Sequence, residues 1–461
     1  MDYDVVILGG GLVGCSLAYE LCKYSLNIAV IEKNFDIAED AALFNSSLIL
    51  DGKDEEDEAV FRRIKESSEE LGRLSTALGV FHEKVPSFTI YRDKDEAKRI
   101  YDRAVRRGIE GISLLSEDGP IKRNPLIKDD PSCVIYSENT GVIAPYDYAT
   151  AMAEIAFDNG VSFRLEEEVT DIQRQARGGM KITTNKNKYT SKLVIKTTFG
   201  DRYTIKHEDS VMFPTEILEN MLIEKDFKGE IRNIITRYKS NGEVVTILPS
   251  STNKLVASFR TNERKEFSGV KKEVESVIGP FPAERVDILN QTIYWKEPVF
   301  LDCEFAEKGY IHVQAKSYAV DSIMTSLTKD TVSAVVEHFK AMPVSEFKSK
   351  TREYYRFSEM SDKERNELIR IDPKYGNMVC LCSNVTEGEI VDSIRRPLGA
   401  RTVEGVRRRT RIVFGRCQGS HCLTKVIRIL ARELDKNPMD IMNDKKNSQV
   451  IASRIKEFDT M

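Results

Sequence analysis

No apolar run in the 461-residue chain approaches the roughly 18–20 residues needed to cross a bilayer, so no membrane span is expected. The opening is also wrong for a secretory signal. Met1-Asp2-Tyr3-Asp4 precedes the first apolar run, Val5–Val13, where a basic segment would be required. Neither sign of charge is in excess: 69 Lys and Arg face 73 Asp and Glu, a net −4. That balance excludes a general nucleic-acid binder and a disordered acidic chain. Internal repeats and low-complexity tracts are absent. With neither signal nor span, the expected location is the cytoplasm. What remains is ordinary for a globular protein, 41% apolar and 31% charged, and the length predicts roughly three domains of ~150 residues.

The first apolar runs are short. Asp4–Leu8 ends at glycines, residues 15–24 show helical apolar spacing, and Ile28–Glu32 form a second run. Strand, glycine-rich turn, helix, strand is a βαβ unit. Gly9-Gly10-Gly11-Leu12-Val13-Gly14 reads G-x-G-x-x-G at the turn. Gly9 permits the tight turn, Gly11 lets a pyrophosphate approach the backbone, and Gly14 lets helix and strand pack closely. The helix N-terminus then offers amides and a positive dipole end to phosphates. Glu32 follows Gly14 by 18 residues and can accept both hydroxyls of an adenosine ribose. The pattern predicts a bound dinucleotide but leaves FAD and NAD open.

Eight cysteines in a reducing compartment do not read as disulfides. Cys15, Cys22, Cys133 and Cys303 are scattered, whereas Cys380-x-Cys382 and Cys417-x4-Cys422 are close pairs 34 residues apart. Two such pairs supply four thiolates to one centre, as a [2Fe–2S] cluster requires. Zinc also takes four thiolates, although its ribbons favour two to four spacer residues. His421, between two ligands, reads as a bystander. Between residues 374 and 430 there are eleven Lys and Arg against four acids, which marks a small basic domain. Its densest part, Arg407-Arg408-Arg409-Thr410-Arg411, admits two readings. One is a solvated helix face. The other is a set of cations that ease cluster reduction or guide an acidic partner.

Other segments are plainer. Asp54–Glu58 reads as the solvated first turn of a helix over 53–76. Pro145 starts a helix, the stretch 190–300 alternates like an antiparallel sheet, and 322–340 is helical. Ser361-Asp362-Lys363-Glu364 fits a capping box inside a connector over 343–373.

The fingerprint and the four cysteines together resemble a known family. It comprises the FAD-dependent oxidoreductases related to the large subunit of anaerobic glycerol-3-phosphate dehydrogenase. These join a D-amino-acid-oxidase-type flavin domain to a domain like bacterioferritin-associated ferredoxin. The most specific matches are Val379-Cys380-Leu381-Cys382, Val385-Thr386-Glu387-Gly388-Glu389-Ile390, Arg407–Arg411 and Gly415-Arg416-Cys417-Gln418-Gly419; Gly141–Tyr146 and Glu168–Ile172 also fit. The resemblance implies an α/β and α+β fold: a Rossmann-like FAD-binding domain, an inserted antiparallel-sheet substrate domain, and a small helical [2Fe–2S]-binding domain. The expected boundaries are 1–342 for the oxidoreductase, with its FAD-binding part about 1–80, 140–205 and 300–342 and its cap about 81–139 and 206–299. A linker over 343–373, the cluster domain at 374–435 and a tail at 436–461 follow. Implied FAD contacts are Gly9, Gly11, Gly14, Glu32, Lys33, Asn45, Ser46, Val169 and Gly200. Implied cluster ligands are Cys380, Cys382, Cys417 and Cys422.

The implied activity is hydride transfer from a small substrate, glycerol-3-phosphate-like or a hydroxy or amino acid, to flavin. Electrons then leave through the cluster to an external acceptor, with a redox partner protein or subunit expected. The sequence assigns no catalytic residue. Three departures favour an alternative, a non-catalytic electron-transfer or assembly subunit. Leu50 stands where the family has histidine, Glu297-Pro298 where it has Arg-Pro, and Ala315–Val320 lacks two glycines near the flavin. A glutamate repels an anionic substrate, so glycerol 3-phosphate is disfavoured on this ground, and Lys316 or Arg260 is the candidate replacement cation. His312 and Tyr318 are candidate near-flavin groups, with plain packing the competing reading.

Overall fold

The computed structural model describes residues 1–39, 47–115, 131–199, 203, 205, 215–224, 231–250, 254–295, 300–302, 306–412, 415 and 417–451. Strand Tyr3–Leu8 leads through helix α1 (Leu12–Leu21) to strand Ile28–Ile31. Val5 pairs in parallel with Ile28 on one side and Leu193 on the other. Both faces of this central strand are covered, so it reads as a continuous apolar run rather than an alternating one. The sheet runs Val169–Arg174, Met180–Thr184, Lys188–Lys196, Tyr3–Leu8, Ile28–Ile31, Ser162–Arg164. The far half of Lys188–Lys196 also pairs in parallel with Tyr310–Gln314.

Helix α2 (Glu58–Leu78) buries the stripe Val60, Phe61, Ile64, Leu71 and Leu78, at helical spacing. Its cap is Asp57, whose carboxylate accepts the amides of Ala59 at 2.8 Å and Val60 at 3.0 Å. The acidic run therefore does not open the helix as the sequence suggests. Only Glu58 lies on the first turn, and Asp54 is drawn away to other partners.

A second sheet runs Val286–Trp295, Thr215–Glu224, Lys254–Thr261, Val244–Pro249, Ile234–Tyr238, Ser87–Ile90, Val134–Ser137, Ile112–Leu114. All its pairings are antiparallel except that of Ile234–Tyr238 with Ser87–Ile90. Helix α3 (Lys94–Arg106) packs at one end of it. After α4 (Pro145–Asp158), which packs on α1, the sheet is covered by α5 (Phe267–Ile278) through Val270, Val274 and Val277. Helix α6 (Val320–Phe339) returns to α1 and α2.

Beyond it, α7 (Asp362–Ile371) carries the Ser361–Glu364 capping box. The C-terminal unit holds α8 (Glu387–Arg395), α9 (Val403–Thr410) and α10 (Leu423–Leu434). They enclose a separate core of Val379, Ile390, Ile394, Val406, Val426 and Leu430, among others.

Candidate active site and cluster site

The glycine-rich turn is built by close approach. Gly9 has φ +101°, and a Cβ there would lie 2.8 Å from Thr197 Oγ1. A Cβ on Gly14 would lie 2.0 Å from the carbonyl oxygen of Gly9, so the start of α1 touches the strand end directly. Gly11 is the N-cap of α1 and brings no side chain to it. Glu32 leans over this turn, its carboxylate accepting the Gly10 amide at 2.7 Å and the Asn34 amide at 2.9 Å. The Glu167 amide donates to the Glu32 carbonyl, which brings the start of strand Val169–Arg174 close to Glu32; Lys33 is exposed beside them. Thr197 donates its amide and its hydroxyl to the Leu8 carbonyl at 3.0 and 2.7 Å. Asn45, Ser46 and Gly200 lie outside the described residues, as does Glu297-Pro298. A bare turn, an uncapped helix start and a carboxylate at its edge fit an FAD pyrophosphate and ribose.

A cavity of about 380 Å³ opens between the second sheet, residues 48–55 and the start of α6. Its wall includes Lys53, Asp54, Tyr238, Arg260 and Tyr318. Arg260 stands over the Tyr318 ring, 5.1 Å from guanidinium carbon to centroid, with Glu216 at 3.8 Å. Lys53 pairs with Asp51 at 3.4 Å and with Asp54 at 3.1 Å. Burial weakens the Lys53 charge, and the two carboxylates override it and hold the ammonium protonated. Tyr91 donates its hydroxyl to Asp54 at 2.6 Å and stacks on Tyr238. Burial, with Asp54 nearby, holds the Tyr238 phenol well above its ordinary range.

Of the candidates weighed from sequence, Arg260 and Tyr318 reach this cavity. Lys316 sits over the Phe199 ring at 5.8 Å, and His312 lies in the first sheet opposite Lys196 and Asp302. Leu50 lines the cavity with an aliphatic side chain, and its amide donates to Ser322 Oγ. Sequence reasoning missed Lys53, Asp54 and Tyr238. The one available signal was Asp51-Gly52-Lys53-Asp54, where Gly52 has φ +80°.

The four cysteines are brought together. Cys380 ends strand Met378–Cys380, Cys382 lies in the turn beyond it, and Cys422 caps α10. Cys382 Sγ stands 3.6 Å from Cys417 Sγ, and Cys380 is within hydrogen-bond reach of Cys422. A Cβ on Gly415 would lie 2.6 Å from Cys382 Cβ, so the two loops approach only because that residue is glycine. No three metal-type side chains among the described residues meet at one point. The thiols instead form two pairs, the division a two-iron cluster needs. The Gly419 amide, then Cys382 and the His421 backbone amide, pull the Cys417 thiol below its usual range, while burial pushes Cys422 up to about 12. Cys382 and the neighbouring Leu381, 81% accessible, face solvent.

The basic run is neither a solvated face nor a ring of cations turned to a partner. Arg409 is fully buried, and both its terminal nitrogens donate to Asp36, at 2.6 and 2.7 Å. Arg408 is shared by Asp36, Glu39 and Asp444, and Arg407 pairs with Glu404. Burial opposes ionisation of Asp36, and Arg409 and Arg408 override it and keep the carboxyl below its ordinary value. A charge run was legible in sequence. Its partner, more than 370 residues away, was not.

Residues 4–199 match the family of FAD-dependent oxidoreductases described as DAO, and residues 378–432 match the BFD-like [2Fe–2S] binding domain. The chain is 29% identical to a glycerol 3-phosphate dehydrogenase of Caloramator mitchellensis, over 98% of this chain and 99% of that one. It is 28% identical to a glycerol 3-phosphate oxidase of Mycoplasma pneumoniae over 40% of this chain and 49% of the relative. Among solved structures, the FAD-bound L-alpha-glycerophosphate oxidase of M. pneumoniae superposes with TM-score 0.66 at 17% identity. That match covers 77% of this chain and 99% of the other. L-proline dehydrogenase from P. horikoshii gives 0.60 at 17%, over 72% and 93%. No helix among the described residues is long and apolar enough to cross a membrane. The chain is an FAD-dependent oxidoreductase whose flavin domain, at residues 4–199, is joined to a BFD-like [2Fe–2S] domain at residues 378–432.

Proposed function

We propose that the chain oxidises glycerol 3-phosphate, or an alcohol of that size bearing one anionic group, in the cavity at Arg260. The observation that carries this reading is an arginine on the wall of that cavity, with Lys53 and Asp54 close by. The full-length likeness to a glycerol 3-phosphate dehydrogenase supports it. FAD, when bound, would supply a two-electron acceptor that can release electrons singly, and a cluster held by the four cysteines would supply a one-electron outlet.

The chain's own residues do the rest. Gly9, Gly11, Gly14 and Glu32, with Lys33 and Val169 alongside, hold the adenosine diphosphate half of FAD. Cys380, Cys382, Cys417 and Cys422 hold the cluster. Arg260 binds the anionic group, because a guanidinium fork matches phosphate and Glu216 at 3.8 Å is beyond hydrogen-bond distance. It replaces the arginine missing before Pro298. Oxidation of a carbinol releases a hydride, which bound FAD would accept, and a proton from the hydroxyl. Leu50 cannot take that proton; Asp54, kept in place by Tyr91 and Lys53, does. Thiols that must hold iron suit a reducing compartment, the cytoplasm. The exposed edge at Leu381 and Cys382, with Lys425 and Arg428 exposed on α10, the helix that Cys422 caps, suits an acidic electron acceptor.

The test is anaerobic bleaching of the bound flavin by glycerol 3-phosphate. Arg260→Met is expected to raise KM by about 10- to 100-fold with a smaller effect on kcat. Asp54→Asn is expected to lower kcat by about 10²–10⁴-fold. Bleaching by hydroxy or amino acids alone would overturn the substrate assignment. Bleaching by none of them would favour the electron-transfer subunit instead.

A further inference from the structure

Two buried, two-pronged ion pairs join the cluster-bearing unit to the flavin domain, and they land in different places. Arg396 grips Glu154 on α4 at 2.9 Å through both Nε and Nη2. Arg409 on α9 grips Asp36 at 2.6 and 2.7 Å. Asp36 lies four residues beyond Glu32, and its turn closes on the glycine-rich turn. The Ala38 amide donates to the Gly10 carbonyl at 2.7 Å. A Cβ on Gly10 would meet Ile37 at 3.3 Å. Tyr146 adds its hydroxyl to Asp36 at 3.3 Å. Helix α9 approaches this closely because residue 405 is glycine: a Cβ there would lie 3.3 Å from Asp36 Oδ2. Cys417 follows the last residue of α9 by seven positions in the chain.

We propose that Arg409 is a positioning residue for FAD. It holds Asp36, and through Asp36 it holds residues 36–38 against the glycine-rich turn, so that docking of the cluster-bearing unit and binding of FAD stabilise one another. The proposal rests on the reading of Gly9–Gly14 and Glu32 as the pyrophosphate and ribose site. A buried carboxylate that loses its two-pronged guanidinium, with Arg408 at 3.5 Å and Tyr146 at 3.3 Å left to it, must shift toward them or take in water or a proton. Each response loosens the turn that pins Gly10, whose amide Glu32 holds at 2.7 Å. FAD would then bind a site that is ordered only part of the time, and its apparent affinity falls by that fraction. Linkage makes the effect mutual: bound FAD tightens the seat of α9 by the same factor.

Arg396 supplies the control, since it docks the same unit through a similar buried pair on α4 and its hydrogen bonds go to Glu154, Asp392 and the carbonyls of Arg352 and Glu353 rather than to residues 36–38. Deflavinated full-length protein is titrated with FAD, following flavin fluorescence, for the wild type, Arg409→Met, Arg409→Lys, Arg396→Met and Gly14→Ala. Arg409→Met is expected to weaken FAD binding by about 10- to 100-fold. Arg409→Lys keeps the charge but not the fork, and is expected to weaken it by about 3- to 10-fold. Arg396→Met is expected to stay within about 3-fold of wild type, although its melting temperature falls comparably. Equal FAD affinities for Arg409→Met and Arg396→Met would overturn the proposal. If Arg409→Met does not fold, an unchanged affinity in Arg409→Lys overturns it. FAD retained by Gly14→Ala would instead show that the fingerprint reading has failed, whatever Arg409 does.

Discussion

Gly14→Ala is expected to yield a folded protein that purifies without flavin. The added methyl would lie 2.0 Å from the Gly9 carbonyl oxygen and 3.0 Å from its carbon, both backbone atoms, so no side chain can swing aside. The start of α1 must move off the strand end instead. Overpacking of this kind costs about 1–3 kcal/mol. If the displacement is confined to the turn, that alone is about 5- to 150-fold in FAD affinity. Misaimed amides at the helix start add to the loss, because the pyrophosphate depends on their direction. The fold should survive, since the core of Val5, Ile7, Leu17, Leu21, Ile28 and Val30 lies behind the turn. The measurement is flavin content after anaerobic purification, with circular dichroism on the same sample. Stoichiometric FAD in a folded Gly14→Ala protein would place the pyrophosphate elsewhere.

The parts of the fold and site legible in sequence share one property: they are local. Gly9 to Glu32 spells strand, turn, helix, strand and edge carboxylate within a single βαβ unit, and each residue's reason lies among its near neighbours. The cysteine pairs are local in the same sense, and their thiols meet because Gly415 lets two loops touch. Asp54 was misread for the opposite reason. Five acids in a row look like a helix start, and Asp57 does cap α2. The partners that draw Asp54 inward include Tyr91, 37 residues away. Arg260 could not be ranked above Lys316 from spacing, because what separates them is which wall of the cavity each strand presents. The buried Arg409–Asp36 pair joins segments 373 residues apart. A run of arginines announces charge, and only the tertiary structure shows what neutralises it.

Cys417→Ala is expected to remove the cluster completely while the chain stays folded and still takes up FAD. Alanine withdraws one of four thiolates, from the pair in which Cys382 stands 3.6 Å away. A two-iron cluster left with three protein ligands and an exposed edge is not retained, so iron and acid-labile sulfide should both fall to background. Small metal domains often unfold when emptied, because binding the metal is their folding energy. This unit is better supported, with buried aliphatic residues from α8, α9 and α10 packed together and two buried ion pairs to the flavin domain. Its melting temperature should drop by several degrees without a new unfolded fraction. FAD should still bind, because Asp36 beside the glycine-rich turn is held by Arg408 and Arg409 of α9 rather than by Cys417. A modest weakening, smaller than that in Arg409→Met, is the mark of the linkage through Asp36. Bleaching of the flavin by substrate should persist at near its normal rate, while reoxidation by one-electron protein acceptors should slow markedly. Complete loss of flavin from Cys417→Ala would show that the cluster holds the flavin domain together. Undiminished reoxidation would show that electrons leave the flavin by a route that bypasses these four cysteines.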